Sequence, residues 1–315
     1  MAFGGHARTF AGRPVVDVPP DGPLPTVDTP VSWRFGYWDF DQSAGTTLSE
    51  PFREAFERFV AQAGPSVEAL VIGAWGYAAF NPAPIAQLCA AAPRMPALRA
   101  LFLGDMTSEE CEVSWMRVGD VSPLLTAYPE LEVLRVRGGQ DLTFSPVRHE
   151  RLRELTVETG GLSPAFTRAV LDSELPALTD LELWLGTPDY GGDTQVADLA
   201  PLLAGERFPA LRRLGLRNAE IADDLAEALS TARVVLRLDR LDLSLGTLGE
   251  RGAAALLAGQ PLTHLTELDL HHHYLPDGLA DALVTALPGV RVDVSDPQED
   301  DEYDGESYRY TAVGE

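Results

Sequence analysis

Lysine is absent from this sequence, and all 24 of its basic residues are arginine. Enzymes that form a Schiff base need a lysine, as do the phosphate-binding P-loop and the kinase ATP site. Those enzyme classes are therefore excluded. The 48 acidic residues outnumber the basic ones and give a net charge of -24. Because such a charge repels phosphate backbones and anionic membranes, we expect neither nucleic acid nor a membrane as a partner.

Cysteine and long apolar runs are also scarce. The two cysteines, Cys89 and Cys111, have neither metal-ligand nor redox spacing, which is typical of buried thiols in a reducing compartment. Residues 1–8 lack the apolar run of a signal peptide, and no later stretch is long enough to span a bilayer. We therefore expect a cytoplasmic protein.

An apolar-x-x-apolar-x-apolar unit recurs along most of the chain. The middle residues of its nine copies are Leu70, Leu101, Leu134, Leu155, Leu181, Leu214, Leu241, Leu268 and Val292. Successive copies are 21 to 33 residues apart, and leucine-rich repeats have a period of roughly 20–29 residues. The alternation within each unit predicts a short parallel strand that points its leucines inward and its intervening residues to the opposite face.

The repeated Leu-x-x-Leu-x-Leu unit, followed by a helical return such as residues 248–257, resembles the leucine-rich-repeat solenoid of the ribonuclease-inhibitor-like kind. The resemblance implies an α/β solenoid with parallel strands on a concave face and helices on a convex face. The family's usual turn asparagine is missing. The corresponding positions hold Gly139, Gly160, Gly186, Ala219, Gly246 and His273. Since glycine can make the turn without a side chain, we interpret the chain as a variant of this fold.

Three segments, at 111–125, 131–139 and 269–275, resemble an actinobacterial-type family of leucine-rich-repeat proteins of uncharacterised function. That resemblance implies a protein partner and transfers no activity or cofactor. It extends over nearly the whole chain.

Three regions are predicted along the chain. They are an N-terminal arm with a strand-helix cap at 1–64, the solenoid of about nine repeats at 65–296, and an acidic tail at 297–315. In the cap, Trp33 and Phe35 lie in an alternating strand pattern, and a helix with Phe52 on one face follows. The proline-rich residues 11–30 predict an extended arm. We interpret Trp33 and Trp38 as core of the cap rather than as a peptide groove.

The tail has two interpretations. It folds back as an edge strand or cover on the last repeat, because an open repeat end needs a cap. Alternatively, it is a mobile peptide that a partner binds or modifies through Tyr303, Tyr308 and Tyr310.

The residues between the leucines predict a polar, mixed-charge concave face that binds a partner. The candidate residues are Arg135, Arg137, Glu158, Glu182, Trp184, Arg213, Arg217, Arg240, Asp242, Asp269 and His271. Arginine and an exposed tryptophan are enriched at protein interfaces, so we expect Trp184, Arg137 and Arg217 to anchor the partner. The alternative is mutual neutralisation between rows, for example of Arg135 by Glu154 or of Arg213 by Glu182.

The run of three histidines suggests a metal site, but neighbouring strand residues point to opposite faces. His271, His272 and His273 therefore cannot all reach one ion. His271 is expected beside Asp269, within reach of Asp242 and Asp293. We assign neither a metal nor a cofactor.

Motifs of catalysis are missing as well. The sequence has no Gly-x-Ser-x-Gly elbow, no His-Glu-x-x-His and no Gly-x-Gly-x-x-Gly after a strand. We therefore predict a non-enzymatic scaffold that binds another protein or peptide. An accessory or substrate protein, whose tail is engaged by a neighbouring modifying enzyme, is the second hypothesis. An enzyme with a site assembled from separate repeats is the third.

Overall fold

The computed structural model describes residues 5–38 and 50–314. These residues form two compact units. The first comprises the chain up to Glu158 together with Ser173–Leu175, and the second comprises Thr159–Asp172 and the chain from Pro176 onward. The division lies inside the predicted repeat region, and the predicted boundaries at 64 and 296 remain predictions.

Among the residues that the structure describes, the first unit contains seven strands and three α-helices. The strands are β1 (Thr9–Phe10), β2 (Arg13–Asp17), β3 (Ser32–Tyr37), β4 (Ala69–Trp75), β5 (Ala100–Leu103), β6 (Val133–Arg137) and β7 (Glu154–Glu158). The helices are α1 (Glu50–Ala63), α2 (Ile85–Ala91) and α3 (Ser122–Ala127). Strands β1 and β2 pair antiparallel, whereas β2 to β7 pair parallel in chain order.

The second unit continues the alternation of strands and helices. Its strands are β8 (Asp180–Gly186), β9 (Arg213–Ala219), β10 (Arg240–Asp242), β11 (Glu267–Asp269), β12 (Arg291–Asp293), β13 (Asp301–Tyr303) and β14 (Glu306–Tyr308). Its helices are α4 (Pro164–Leu171), α5 (Ala200–Leu203), α6 (Ala222–Leu229), α7 (Glu250–Ala258) and α8 (Asp277–Ala286). In this unit, β8 to β12 pair parallel in chain order, and β13 with β14 forms a separate antiparallel hairpin. The predicted α/β fold of parallel strands and helical returns is confirmed.

The repeated leucines lie opposite one another in the sheet. In the first unit, Leu101 faces Leu70 on one side and Leu134 on the other. In the second, Leu241 has the same relation to Leu214 and Leu268. All of these side chains are buried, and burying a leucine contributes about 1.5–3 kcal/mol. The periodicity of the sequence therefore fixes the register of the strands.

The N-terminal strand-helix pair also follows the prediction. On α1, Phe52, Phe56 and Phe59 place their rings 5.2, 5.3 and 5.8 Å from the ring of Phe35 on β3. Trp33 is buried with them in the cap, but Trp38 is 37% exposed. The interpretation of Trp38 as core is therefore wrong, because it lies just beyond the end of β3, where the strand no longer holds its side chain over the helix.

The predicted arm is partly a strand. Within residues 11–30, the segment Arg13–Asp17 pairs in parallel with β3, and Val15 lies opposite Ser32. Valines favour the extended conformation, so the sheet begins before the proline cluster. In the part of the chain that the structure describes, no helix is both long and apolar enough to cross a bilayer.

Two buried histidines, His149 and His273, bond backbone groups through both ring nitrogens. In His273, Nδ1 accepts a hydrogen bond from the Leu275 amide at 3.0 Å. Since Nδ1 accepts, Nε2 carries the proton and donates it to the Val294 carbonyl at 2.9 Å. His149 bonds the Leu152 amide and the Tyr128 carbonyl in the same way. The histidine at the asparagine position is therefore structural.

Candidate functional site

The polar face is defined here as the side chains that alternate with the buried leucines on the strands. In the first unit it contains a buried ion-pair cluster. Arg137 donates from Nε to Glu158 at 2.7 Å and from Nη1 to the Met106 carbonyl at 3.1 Å. Arg135 also pairs with Glu158 of the neighbouring strand, which agrees with the alternative of neutralisation between rows, although the example given for it was Glu154. Glu158 is only 1% exposed, so these two guanidinium groups pair with a carboxylate inside the protein.

Aromatic and acidic neighbours complete this cluster. The guanidinium carbons of Arg135 and Arg137 lie 4.5 and 5.2 Å from the ring centre of Phe102. Buried Asp105 accepts a hydrogen bond from the Ala7 amide at 3.0 Å and lies 3.9 Å from Nη1 of Arg137. Arg137, expected to anchor a partner, is therefore held inside the protein.

In the second unit, Arg217 is the centre of the polar face. It donates to Glu182 at 2.8 Å and to the Ser244 hydroxyl at 2.9 Å, and its Nε is 3.3 Å from a carboxylate oxygen of Asp242. Burial lowers the pKa of Arg217, but the charges of Glu182 and Asp242 raise it by more. The guanidinium therefore stays charged although it is largely enclosed.

Trp184 lies beneath this arginine. Its ring centre is 5.2 Å from the guanidinium carbon of Arg217, and its indole Nε1 donates to Glu182 at 2.7 Å. The side chain is only 3% exposed. The prediction of an exposed tryptophan is wrong, because both polar neighbours hold it within the structure.

Glycine at position 215 makes room for this arrangement. Gly215 lies opposite Glu182 on one side and Asp242 on the other. A Cβ atom there would lie 3.1 Å from Cγ of Glu182 and 3.5 Å from Cδ of Arg217. The missing side chain therefore lets Arg217 reach both acids across its own strand.

Three aspartates form a row at the ends of the last strands. Asp242 faces Asp269, which in turn faces Asp293. Each accepts a hydrogen bond from the amide two residues later, at 3.0 Å from Ser244, 3.1 Å from His271 and 2.9 Å from Ser295. Burial, with a smaller contribution from the charge of Asp269, raises the pKa of Asp242. The hydrogen bonds from Ser295 lower the pKa of Asp293.

The three consecutive histidines diverge as predicted. Nδ1 of His271 lies 2.7 Å from Oδ1 of Asp269. Nδ1 of His272 lies 3.4 Å from Oδ2 of Asp296, and His273 bonds the backbone. Asp269, His271 and Asp293 each place one ligand-type atom within 4.8 Å of the others. The expected approach of His271 to Asp293 is therefore confirmed.

A second row, at the start of the same strands, carries the more exposed arginines. Arg240 faces Arg213 on one side and Glu267 on the other, and Glu267 also faces Arg291. The side chains of Arg213, Arg240 and Arg291 are 45%, 38% and 74% exposed. Arg213 pairs with Asp180 at 2.6 Å, not with Glu182 as expected. We refer to Arg213, Arg240, Glu267 and Arg291 as the arginine row.

The C-terminal tail folds back on the second unit. Asn218 Nδ2 donates to the Val313 carbonyl at 2.6 Å, and the Val313 amide donates to Asn218 Oδ1 at 3.0 Å. The Ala312 amide donates to the Leu245 carbonyl at 2.9 Å, and the Tyr274 hydroxyl donates to the Tyr310 carbonyl at 3.0 Å. The tail thus covers turns near the ends of β9 to β11, whereas an edge strand or a cover on the last repeat was expected.

The tyrosines of the tail lie on its outer side. Tyr303 is 77% exposed, and Tyr308 and Tyr310 are also at the surface. Sequence reasoning missed Asn218, although it stands one position before the expected turn asparagine. It also missed Asp105, for which the sequence offers no signal.

Comparison with known proteins gives a match among solved structures. No protein-family model and no curated protein matches this chain. Among solved structures, a Bacteroides fragilis protein, a target of the Northeast Structural Genomics Consortium, is 30% identical with a TM-score of 0.71. The match covers 80% of this chain and 74% of that one. The chain belongs to the same family as this Bacteroides protein. Family membership supports the α/β repeat fold and supplies no activity.

Proposed function

We propose that the protein is a non-enzymatic recognition module that binds another protein or a peptide through the polar face of its second unit. The arginine row is the contact surface. Arg213, Arg240 and Arg291 keep a large exposed fraction while their ion pairs with Asp180 and Glu267 limit their freedom. A side chain that is already oriented loses less entropy on binding, which favours recognition.

The partner is expected to carry net positive charge and to offer both donors and acceptors at the contact. The net charge of -24 attracts a basic molecule from a distance. Salt screens charges that are more than about 8 Å apart, so only nearby groups act once the partner is in contact. There the arginines of the arginine row donate hydrogen bonds to carboxylates or carbonyls of the partner, and Glu267 accepts them. Trp184 of the same unit is buried and does not contact the partner.

Capture from the native host, followed by cross-linking mass spectrometry, tests this proposal. The double variant Arg213→Ala/Arg240→Ala is expected to reduce partner recovery at least tenfold, since arginines are frequent binding hot spots. The matched control is Arg168→Ala/Arg251→Ala. It removes two exposed arginines, one on α4 and one on α7, which pair with Asp198 and Asp224. Equal recovery with both double variants, or cross-links that map only to the helices, would contradict the proposal.

A second function is supported by the exposure of the tail. Tyr303 projects into solvent while Val313, ten residues on, is anchored at Asn218. We accordingly propose as an alternative that a neighbouring modifying enzyme engages the tail at its tyrosines. Mass spectrometry of protein purified from its host is expected to show a modified peptide within residues 297–315, lost in Tyr303→Phe. A fully unmodified tail would contradict this alternative.

A further inference from the structure

The ends of β11 and β12 bring two carboxylates and an imidazole together. Asp269 and Asp293 lie opposite each other in parallel strands, and His271 follows Asp269 by two residues. Their ligand-type atoms lie within 4.8 Å of one another. A tetrahedral zinc ion, bound at about 2.0–2.2 Å from each donor, needs donors somewhat closer than this.

The donors have the composition that a transition metal prefers. Carboxylate oxygens alone suit magnesium and calcium, whereas an imidazole nitrogen favours zinc and its neighbours. Asp269 and Asp293 are already oriented by the amides of His271 and Ser295. In both aspartates it is Oδ1 that accepts the hydrogen bond from the amide. The other oxygen, Oδ2, is therefore the better placed of the two to bind a metal ion. In Asp269 this oxygen lies 3.8 Å from Arg240.

Local charge also favours a cation. The neighbouring arginines are shared: Arg240 lies 3.3–3.8 Å from three carboxylates, those of Asp242, Glu267 and Asp269. Arg291 pairs with Glu267. The aspartate row therefore carries more negative charge than its arginines balance, and crowded carboxylates attract a divalent ion.

We propose that Asp269, His271 and Asp293 form a binding site for one Zn²⁺ ion. Three protein donors leave a fourth position for water or for a donor from a partner, as zinc sites with an open position do. Binding at Nδ1 of His271 leaves the single imidazole proton on Nε2, and a zinc ion then replaces the contact between Nδ1 of His271 and Oδ1 of Asp269. The site borders the arginine row, because Arg240 lies 3.8 Å from Oδ2 of Asp269, but none of the three proposed ligands belongs to that row.

Isothermal titration of the full-length protein, stripped with a chelator, with zinc chloride tests the proposal. We expect one ion per chain with a micromolar or lower dissociation constant, weakened at least tenfold in both His271→Ala and Asp293→Asn. The matched control is His6→Ala. His6 forms a similar histidine-carboxylate pair with Glu110 at 2.6 Å, so its loss should leave the affinity unchanged.

A second measurement does not depend on the variants being folded. X-ray absorption of the zinc-loaded wild-type protein is expected to show oxygen and nitrogen donors with one imidazole. Two or more imidazoles per zinc would overturn the proposal, as would zinc binding that His271→Ala leaves unchanged. Several weak sites per chain, unaffected by either variant, or no saturable binding below 100 µM would overturn it equally.

Discussion

Asn218 and Val313 are 95 positions apart in the chain, and the side-chain amide of the first bonds both backbone groups of the second. Both residues are buried. Replacing Asn218 with alanine removes two hydrogen bonds. It leaves the Val313 amide unpaired and the Val313 carbonyl with only the 3.3 Å bond from the Thr311 hydroxyl, which costs about 1–3 kcal/mol. Urea unfolding should register this loss. Gln298→Ala, which removes an exposed amide bonded to the Asp296 carbonyl, should stay within about 0.5 kcal/mol. Equal effects of the two variants would mean that the tail contributes no stability.

Glu158 neutralises both Arg135 and Arg137 in a buried position. Glu158→Ala is expected to destabilise the protein by about 3–5 kcal/mol, because it leaves a buried guanidinium without its partner. As a comparison, Glu132→Ala removes a pair with Arg153 whose atoms are 3.8 Å apart and whose side chains are both exposed. That variant should cost no more than about 1 kcal/mol. Thermal and urea unfolding measure the loss of stability in the two variants. A loss for Glu158→Ala as small as that for Glu132→Ala would contradict the prediction.

The hairpin of β13 and β14 should loosen in acid. The hydrogen bond from Arg309, followed by that from Ser307, lowers the pKa of Asp300 below its usual 3.8. A lowered pKa means that the ionised form stabilises the folded state. This contribution is therefore complete above about pH 5 and is lost as the pH falls through the lowered pKa.

NMR spectra recorded as the pH falls test this expectation. Amide signals of residues 300–310 should move towards unfolded positions below pH 3.8, the usual value, and Asp300→Asn should show the same change already at pH 7. Asp304→Asn, a change in the turn of the hairpin, should behave like wild type. Hairpin signals that stay fixed in Asp300→Asn would rule out this carboxylate as the cause.

The thiols should react slowly while the protein is folded. Burial, aided by the charge of Glu112, raises the pKa of Cys111 to about 12, and burial also raises that of Cys89. Since the thiolate is the nucleophile, only about one Cys111 in ten thousand is reactive at pH 8. Iodoacetamide labelling followed by mass spectrometry should modify the half-buried Cys89 first and Cys111 last. In guanidinium chloride both should react at similar rates; rapid labelling of Cys111 without denaturant would contradict its burial.

The repeat pattern predicted the fold well because leucine spacing directly determines strand register. Leu241, for example, lies between Leu214 and Leu268 as its position in the motif requires. The site was harder to predict. The alternation of leucines with polar residues predicts that the side chains of Trp184 and Arg137 point away from the leucine core, but it does not predict whether neighbouring side chains bury them. Arg217 lies opposite Trp184 in the sheet, but the room that Gly215 leaves beside Glu182 depends on a neighbouring strand. The tail contact at Asn218 joins residues too distant for any local pattern.

The space above Gly215 has an evolutionary consequence. An alanine at 215 would press against Glu182 and the stem of Arg217, so natural variation at these positions should be correlated. In relatives that carry a larger residue at 215, the long cation at 217 should be replaced by a shorter side chain and the indole at 184 by a smaller ring. An alignment of close homologues should therefore show that the residues at positions 184, 215 and 217 vary together. Transferring this cluster to another repeat protein would require all three residues to be exchanged at once.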